Sequence, residues 1–293
     1  MTQQPIEREI REAVVGRYAA RARAALESAG VAPAAGACCA PGDAVPAGPT
    51  KLEFFDLGAG TALGAACDPN DPDCAVDVAP GASPSSSTRF GTLNYEQTEG
   101  VPAAALAASA GCGNPVAIAE LRPGESVLDL GSGGGVDCFF AAHEVGASGQ
   151  VWGLDMTPEM IQLARHNATQ VDAKNVRFRL GEIEDIPFAD ASFDAIISNC
   201  VINLSTDKPQ VFREAFRVLR PGGRLRVSDM VWTREVPAAQ ARDAEQWAGC
   251  IAGALRVEDY LGAIRAAGFV DVDARYEETE SGLTSAYVSA TRP

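Results

Sequence analysis

Eight cysteines stand at positions 38, 39, 67, 74, 112, 138, 200 and 250, and their surroundings differ. Cys38 and Cys39 are adjacent in a stretch rich in Ala, Gly and Pro, a setting that favours thiol exchange or substrate capture over burial. Cys112 is presented by the turn Gly111-Cys112-Gly113-Asn114-Pro115. Cys200 interrupts the apolar run 196–204, where taken alone it reads as core, and Cys250 follows Trp247 by three residues. Cys138, beside Phe139 and Phe140, reads as a small buried apolar residue. Cys67 and Cys74 bracket an acidic loop, 68–73, that lacks the spacing and final Glu of a calcium-binding loop. A solvated loop with two auxiliary thiols is its reading. So many cysteines in a chain expected in a reducing compartment point to thiolate chemistry rather than to a disulfide framework.

A second chemistry-bearing stretch runs from Val127 to Cys138: an apolar strand pattern, the loop Gly131-Ser132-Gly133-Gly134-Gly135, then a helix start. Glycines 131, 133 and 135 allow positive φ and close approach of a ligand to the backbone. Val136 stands where a dinucleotide loop has its third glycine, and Asp129 precedes the loop, so a pyrophosphate would be repelled. The cationic amino-acid end of S-adenosylmethionine would be attracted there, its carboxylate meeting N–H groups at the helix start. The loop resembles motif I of the Rossmann-like methyltransferases. Asp155, closing the apolar run 151–154, is placed to accept hydrogen bonds from both ribose hydroxyls. Met156 and the segment Gly181-Glu182-Ile183-Glu184 flank an adenine, with Ile183 and Glu184 as its contacts; Asn199, at the end of a later strand, completes the cofactor set.

The elements that must position these residues alternate between strand and helix, the pattern of a doubly wound parallel sheet. Strands are expected over 126–130, 151–155, 175–180, 193–198 and 224–229, with a closing antiparallel hairpin at 270–274 and 283–290. The fold class is thus α/β, a seven-stranded sheet of the class I methyltransferase type with an N-terminal helical and irregular segment. Thr157-Pro158-Glu159 has the composition of a helix opening, and Arg220-Pro221-Gly222-Gly223 of a helix-to-strand turn. Ile6, Ile10, Val14, Tyr18, Ala22 and Leu26 make a helical stripe through 5–29, read as packing. Residues 32–89 have little periodicity and read as loop, with Lys51 to Phe55 as a docking point. Three segments are expected: 1–116, carrying the helix, the Cys-containing stretch and the start of the substrate site; 117–233, binding the cofactor; and 234–293, carrying Cys250, helices and the hairpin.

Of the 293 residues 46% are hydrophobic, enough for a sizeable core, and the formal charge is −15. That balance offers no electrostatic footprint for nucleic acid or an anionic membrane, so neither is expected as a partner. With no signal-like or bilayer-length apolar run, a soluble cytoplasmic protein is expected.

Taken together, Gly111 to Pro115, Asp129 to Asp137, Gly153-Leu154-Asp155-Met156-Thr157, Ser198 to Leu204 and Trp247-Ala248-Gly249-Cys250 resemble the arsenite methyltransferases, closely over residues 100–260. The resemblance implies an enzyme that moves methyl groups from S-adenosylmethionine to thiol-bound trivalent arsenic, arsenite or methylarsenite, in arsenic detoxification. It also implies that Cys112, Cys200 and Cys250 hold the arsenic as three thiolates, leaving a lone pair to act as nucleophile. That set suits a soft centre that prefers sulfur. By the same resemblance, Cys38 or Cys39 forms a disulfide with Cys112 that thioredoxin or glutathione re-reduces. Two departures stand out: Ser109 and Ala110 occupy positions where animal members carry tyrosines, with Tyr95 a replacement, and the chain after Phe269 is shorter than the extension of many relatives. The competing readings are a methyltransferase for a small organic acceptor and a non-catalytic thiol protein that binds arsenic or zinc. Arsenite-dependent cofactor consumption separates the first, and cofactor titration the second.

Overall fold

A computed structural model describes residues 4–32, 98, 101–235, 247 and 253–293. Cys38, Cys39, Cys67, Cys74, Tyr95, Cys250 and the expected docking point at 51–55 lie outside the described residues.

Seven strands form one sheet: β1 (Ser126–Leu130), β2 (Gln150–Asp155), β3 (Val176–Leu180), β4 (Phe193–Asn199), β5 (Leu219–Trp232), β6 (Val270–Tyr276) and β7 (Leu283–Thr291). Their order is β3-β2-β1-β4-β5-β7-β6. The first five are mutually parallel, and β7 runs antiparallel between β5 and β6. The seven-stranded class I methyltransferase architecture expected from the strand–helix alternation is therefore the one observed. Strand boundaries agree within two residues except at β5, which is extended already from Leu219 through the Pro-Gly-Gly turn and continues to Trp232.

The helices are α1 (Gln4–Ser28), α2 (Ala103–Ala108), α3 (Val116–Ala119), α4 (Val136–Val145), α5 (Pro158–Gln170), α6 (Lys208–Val218) and α7 (Val257–Ala266). Helices cover both sheet faces, so the central strands read as continuous apolar runs instead of alternating ones. Along β1, Leu128 and Leu130 enter one core with Ile196, Phe212 and Tyr260, while Val127 enters the other with Ile197, Phe139 and Phe178. Each such side chain contributes about 1.5 to 3 kcal/mol of burial.

Local chemistry sets the helix ends. Asp207 caps α6 by accepting the Gln210 N–H at 3.0 Å. Thr157 occupies the cap position of α5, but its side chain makes no capping bond; the Asp155 carboxylate takes the Thr157 N–H at 2.8 Å instead. Asp155, two residues earlier, thus ties the start of α5 to the end of β2. In α1 the expected stripe is observed: Ile10, Val14, Ala22 and Leu26 are buried.

Strand order reverses between β1 and β4, since the chain builds outward to β3 on one side and resumes next to β1 on the other. In open α/β sheets such a reversal leaves a crevice at the carboxyl ends of the strands. Gly131 and Cys200, the residues following β1 and β4, both open onto it.

Candidate active site

A cavity of about 410 Å³ fills this crevice. Its floor is the loop after β1, where Gly131, Gly133 and Gly135 have φ of +70°, +50° and +95°. At Gly131 a Cβ would lie 2.7 Å or less from the Val201 side-chain carbons, so both the backbone angle and the close approach require glycine. Ser132, Gly133, Asp155, Met156, Ile183, Glu184 and Asn199 all line the cavity with Gly131. Asp129 does not: it is buried beneath the loop and accepts the Cys138 thiol at 3.2 Å. Gly135 caps α4 and likewise stays out of the wall.

Asp155 stands at the tip of β2, where Oδ2 accepts the Gly133 N–H at 3.0 Å and Oδ1 the Thr157 N–H. Each oxygen keeps a lone pair for a ligand hydroxyl. Burial raises its pKa above the ordinary carboxylate value, against the pull of those backbone donors. Asp129 is raised well above it, first by burial and then by repulsion from Asp137. Three carboxylates thus crowd one glycine loop, an arrangement that a cationic ligand relieves. Ser132 Oγ is buried beside the cavity without a hydrogen-bond partner among the described residues. The unsatisfied hydroxyl, the open glycine cradle and the acidic surround fit S-adenosylmethionine, whose amino-acid end carries both an ammonium and a carboxylate.

The stripe on α1 does more than pack. Ile10, Arg11, Val14 and Tyr18 form a wall of the cavity, and Ile10 and Val14 pack with Met156, Leu204 and Trp247. Arg11 pairs with Glu182 through Nη1 at 2.8 Å, and Arg23 with Glu159 at 2.6 Å, fastening the helix across the opening. Glycine loops and strand-end acids announce themselves locally; a covering helix has only a generic apolar stripe, so its role was not legible.

Cys200 lines the crevice, and the Cys112 thiol lies beside it. Asn199, the last residue of β4, holds the Gly111–Gly113 turn: its Oδ1 accepts the N–H of Cys112 at 3.0 Å and of Gly113 at 3.2 Å. Its Nδ2 donates to the Gly113 carbonyl at 2.8 Å and to Asp137 Oδ2 at 3.1 Å. A Cβ on Gly113 would meet the Ser228 Cβ at 2.8 Å, so glycine lets the turn reach β5. Cys200 takes φ of +61°, unusual for a side-chain-bearing residue, and its N–H donates to the Ser228 carbonyl at 2.7 Å. These constraints bring the sulfurs of Cys112 and Cys200 and a carboxylate oxygen of Asp229 within 4.8 Å of one another, all three residues buried. Both cysteines are free thiols.

Asp229 is the residue that sequence reasoning missed. Its Oδ2 accepts the Asn203 N–H and the Tyr260 hydroxyl, each at 3.1 Å, and its Oδ1 the Met230 N–H at 3.0 Å. Burial lifts its pKa to about 7, opposed by the charge of Lys208 and by these donors. The signal available was a carboxylate inside the apolar strand run Leu225 to Trp232, because charged residues are rarely fully buried without a role. Asp137 was also missed; it lies on the cavity wall. Cys138 is fully buried, and burial together with the Asp129 charge keeps its thiol protonated, as suits a packing residue. The Trp247 indole N–H donates to the Leu204 carbonyl at 3.1 Å, and the Lys208 ammonium sits 5.2 Å from the ring centre.

Fold and site together define a Rossmann-like methyltransferase domain whose crevice fits S-adenosylmethionine. A profile of the methyltransferase domain matches residues 121–277, and the chain belongs to that family. Among curated relatives, it is similar to an arsenite methyltransferase of Halobacterium salinarum, at 53% identity over 58% of this chain and 44% of the relative. One from Aquipseudomonas alcaligenes is 45% identical over 55% of this chain and 48% of the relative. The chain thus spans about half the length of the curated relatives it matches. The solved structure of an arsenic(III) S-adenosylmethionine methyltransferase from Chlamydomonas reinhardtii aligns with TM-score 0.55 and 36% identity, covering 62% of this chain and 66% of that one. The resemblance read from the cysteine-bearing motifs is therefore shown.

Proposed function

We propose that this protein transfers methyl groups from S-adenosylmethionine to trivalent arsenic, with arsenite and methylarsenite as substrates. The observation that carries the reading is the pair of buried thiols, Cys112 and Cys200, within 4.8 Å of each other, with Cys200 on the wall of the crevice that the glycine loop and Asp155 also line. A soft metalloid prefers such sulfur ligands. Cys250 is proposed as the third thiolate, on the motif resemblance alone.

S-adenosylmethionine supplies, when bound, a methyl group on positively charged sulfur. The loop after β1 lets its amino-acid end approach the backbone closely, the N–H groups of Gly131, Ser132 and Gly133 being taken by the Leu154 carbonyl and Asp155 Oδ2; Asp155 offers its two oxygens to the ribose, and Met156, Ile183 and Glu184 the adenine contacts. Asn199 ties the Cys112 turn to the cofactor wall through Asp137, which fixes the thiols relative to that wall. Catalysis is then chiefly positioning. Arsenic bound by thiolates keeps a lone pair, so no side chain is needed as a general base. Cys38 and Cys39 are proposed to exchange with Cys112, thioredoxin or glutathione returning the thiols to the reduced state, and detoxification in the cytoplasm is the proposed setting.

The test is incubation of the reduced protein with arsenite, S-adenosylmethionine and a thiol, with arsenicals separated by chromatography. Methylated arsenic that requires Cys112 and Cys200 is expected. Cofactor consumption independent of arsenite would favour an organic acceptor instead.

A further inference from the structure

Cys112, Cys200 and Asp229 together offer a donor set that arsenic does not need. A trivalent arsenic centre takes sulfur, whereas zinc accepts thiolate and carboxylate side by side. The geometry points to a zinc site at Cys112, Cys200 and Asp229, overlapping the proposed arsenic site and excluding arsenic when filled.

Three observations support it. The ligand atoms already lie within 4.8 Å of one another. Tetrahedral zinc, with Zn–S of about 2.3 Å and Zn–O of about 2.0 to 2.2 Å, holds such atoms about 3.5 to 3.8 Å apart, so closure by about an ångström suffices. Next, the carboxylate is oriented as ligating carboxylates are, by hydrogen bonds from a surrounding shell: the Tyr260 hydroxyl and the backbone N–H groups of Asn203 and Met230. Its Oδ1, with one donor assigned, retains a lone pair. Finally, the setting is largely apolar: Met230, Trp232 and Ala254 pack around the two cysteines, and all three ligand residues are buried. A fourth position is left for water. Zinc binding releases the thiol protons to solvent and involves no electron transfer. The binding does not depend on the arsenic reading; the exclusion of arsenic does.

Cobalt(II) alone, added to the reduced full-length chain, is the probe, because its absorption reports both tetrahedral geometry and the number of thiolates. One cobalt per chain with two-thiolate intensity is expected, displaced by zinc. Cys112→Ser and Cys200→Ser should each abolish the thiolate band, and Cys138→Ser should leave it unchanged. Tyr260→Phe keeps the ring and removes the hydroxyl, and should weaken cobalt about tenfold; Asp229→Asn should weaken it more and alter the ligand-field bands. Circular dichroism checks the fold of each variant, and should Asp229→Asn unfold, Tyr260→Phe and the thiolate count decide. A cobalt spectrum that survives Cys112→Ser with Cys200→Ser, a count of three or four thiolates, or bands indifferent to Tyr260→Phe and Asp229→Asn would each overturn the site. In turnover assays, zinc should raise the apparent KM for arsenite without changing that for the cofactor. Arsenite methylation that required zinc would overturn the exclusion, whereas none at all, with or without zinc, would count against the proposed function and leave the cobalt result to stand by itself.

Discussion

The two ends of the crevice are built in different ways. At the cofactor end, the groups come from consecutive strand tips: the glycine loop after β1, Asp155 at the end of β2 and Glu184 just past β3. At the thiol end, Cys112 arrives from a turn before the sheet begins, Cys200 follows β4, and Asp229 lies within β5. The first end is a property of any sheet of this topology; the second depends on side chains that pull distant segments together. Asn199 is the chief of these, since its amide meets the Cys112 turn on one side and Asp137 on the other. The same scaffold can therefore keep its cofactor while its acceptor chemistry depends on a few contacts.

The strongest way to break that comparison is to disturb the thiol end alone. Cys112→Ser or Cys200→Ser should lower arsenite methylation by about two orders of magnitude or more, since a hydroxyl is a hard, weakly acidic ligand. Gly113→Ala should do nearly as much without touching a thiol, because its Cβ would press into Ser228 and displace the turn. Cofactor affinity, measured by calorimetry, should change less than about threefold in all of them, within ordinary mutational scatter. A parallel loss of cofactor binding would mean that the two ends are one cooperative unit.

The reverse test is Asp155→Ala. Removing a charged acceptor of two hydrogen bonds costs about 1.5 to 3 kcal/mol, so cofactor affinity should fall by about ten- to a hundredfold. Arsenite binding, followed by protection of Cys112 and Cys200 from alkylation, should be unaffected. Protection lost in parallel would overturn the independence of the two ends.

The same contrast explains what the sequence could reveal. Strands β1, β2 and β4 are legible because parallel strands covered on both faces are mostly apolar, whereas edge strand β3 alternates as Val-Arg-Phe-Arg-Leu, and each of the four ends at or just before a glycine or a polar residue. The glycine loop, Asp155 and Asn199 sit at those ends, so their places followed from the strands. Asp129 is the exception: one residue before the end of β1, it points beneath the loop, and the two-residue period of a strand decides that against the cavity. Asp229 stood out only as a carboxylate inside a strand, and the approach of Cys112 and Cys200 to it was illegible from local pattern, since nothing within β5 indicates which turn will lie against it. Only the joint cysteine motifs named the two thiols.

Asn199→Ala probes the joint between the ends and should give an intermediate effect. Four hydrogen bonds from one buried amide are lost, including those to the N–H groups of Cys112 and Gly113. Leaving those donors unpaired costs about 1 to 3 kcal/mol, so arsenite methylation should drop by roughly ten- to a hundredfold. Cofactor affinity should fall too, by less, because Asp137 loses its amide partner. An effect confined to one end would show that Asn199 is a local brace and not a link.

The smallest effect expected is on stability against pH, and it tests whether the cofactor end is strained by its own charge. Asp129 is buried, and burial and the nearby Asp137 raise its carboxyl pKa well above the ordinary value, while the Cys138 thiol pulls it down. The folded chain therefore holds that proton more tightly than the unfolded chain does. Its contribution to stability is fully present below the unfolded carboxyl value, about 3.9, and is lost progressively as pH rises towards the folded value. Asp129→Asn carries no titrating group, so its stability should not share that decline. Urea midpoints taken from about pH 4 upward should show the variant gaining on the parent protein as pH increases, with the gap levelling off once the parent carboxyl has ionised. Saturating cofactor should narrow the gap, because a cation in the cavity offsets the repulsion among Asp129, Asp137 and Asp155. Parallel curves for variant and parent would mean that Asp129 is ionised at no cost, and that the acidic crowding at the glycine loop does not set the cofactor end apart from the thiol end.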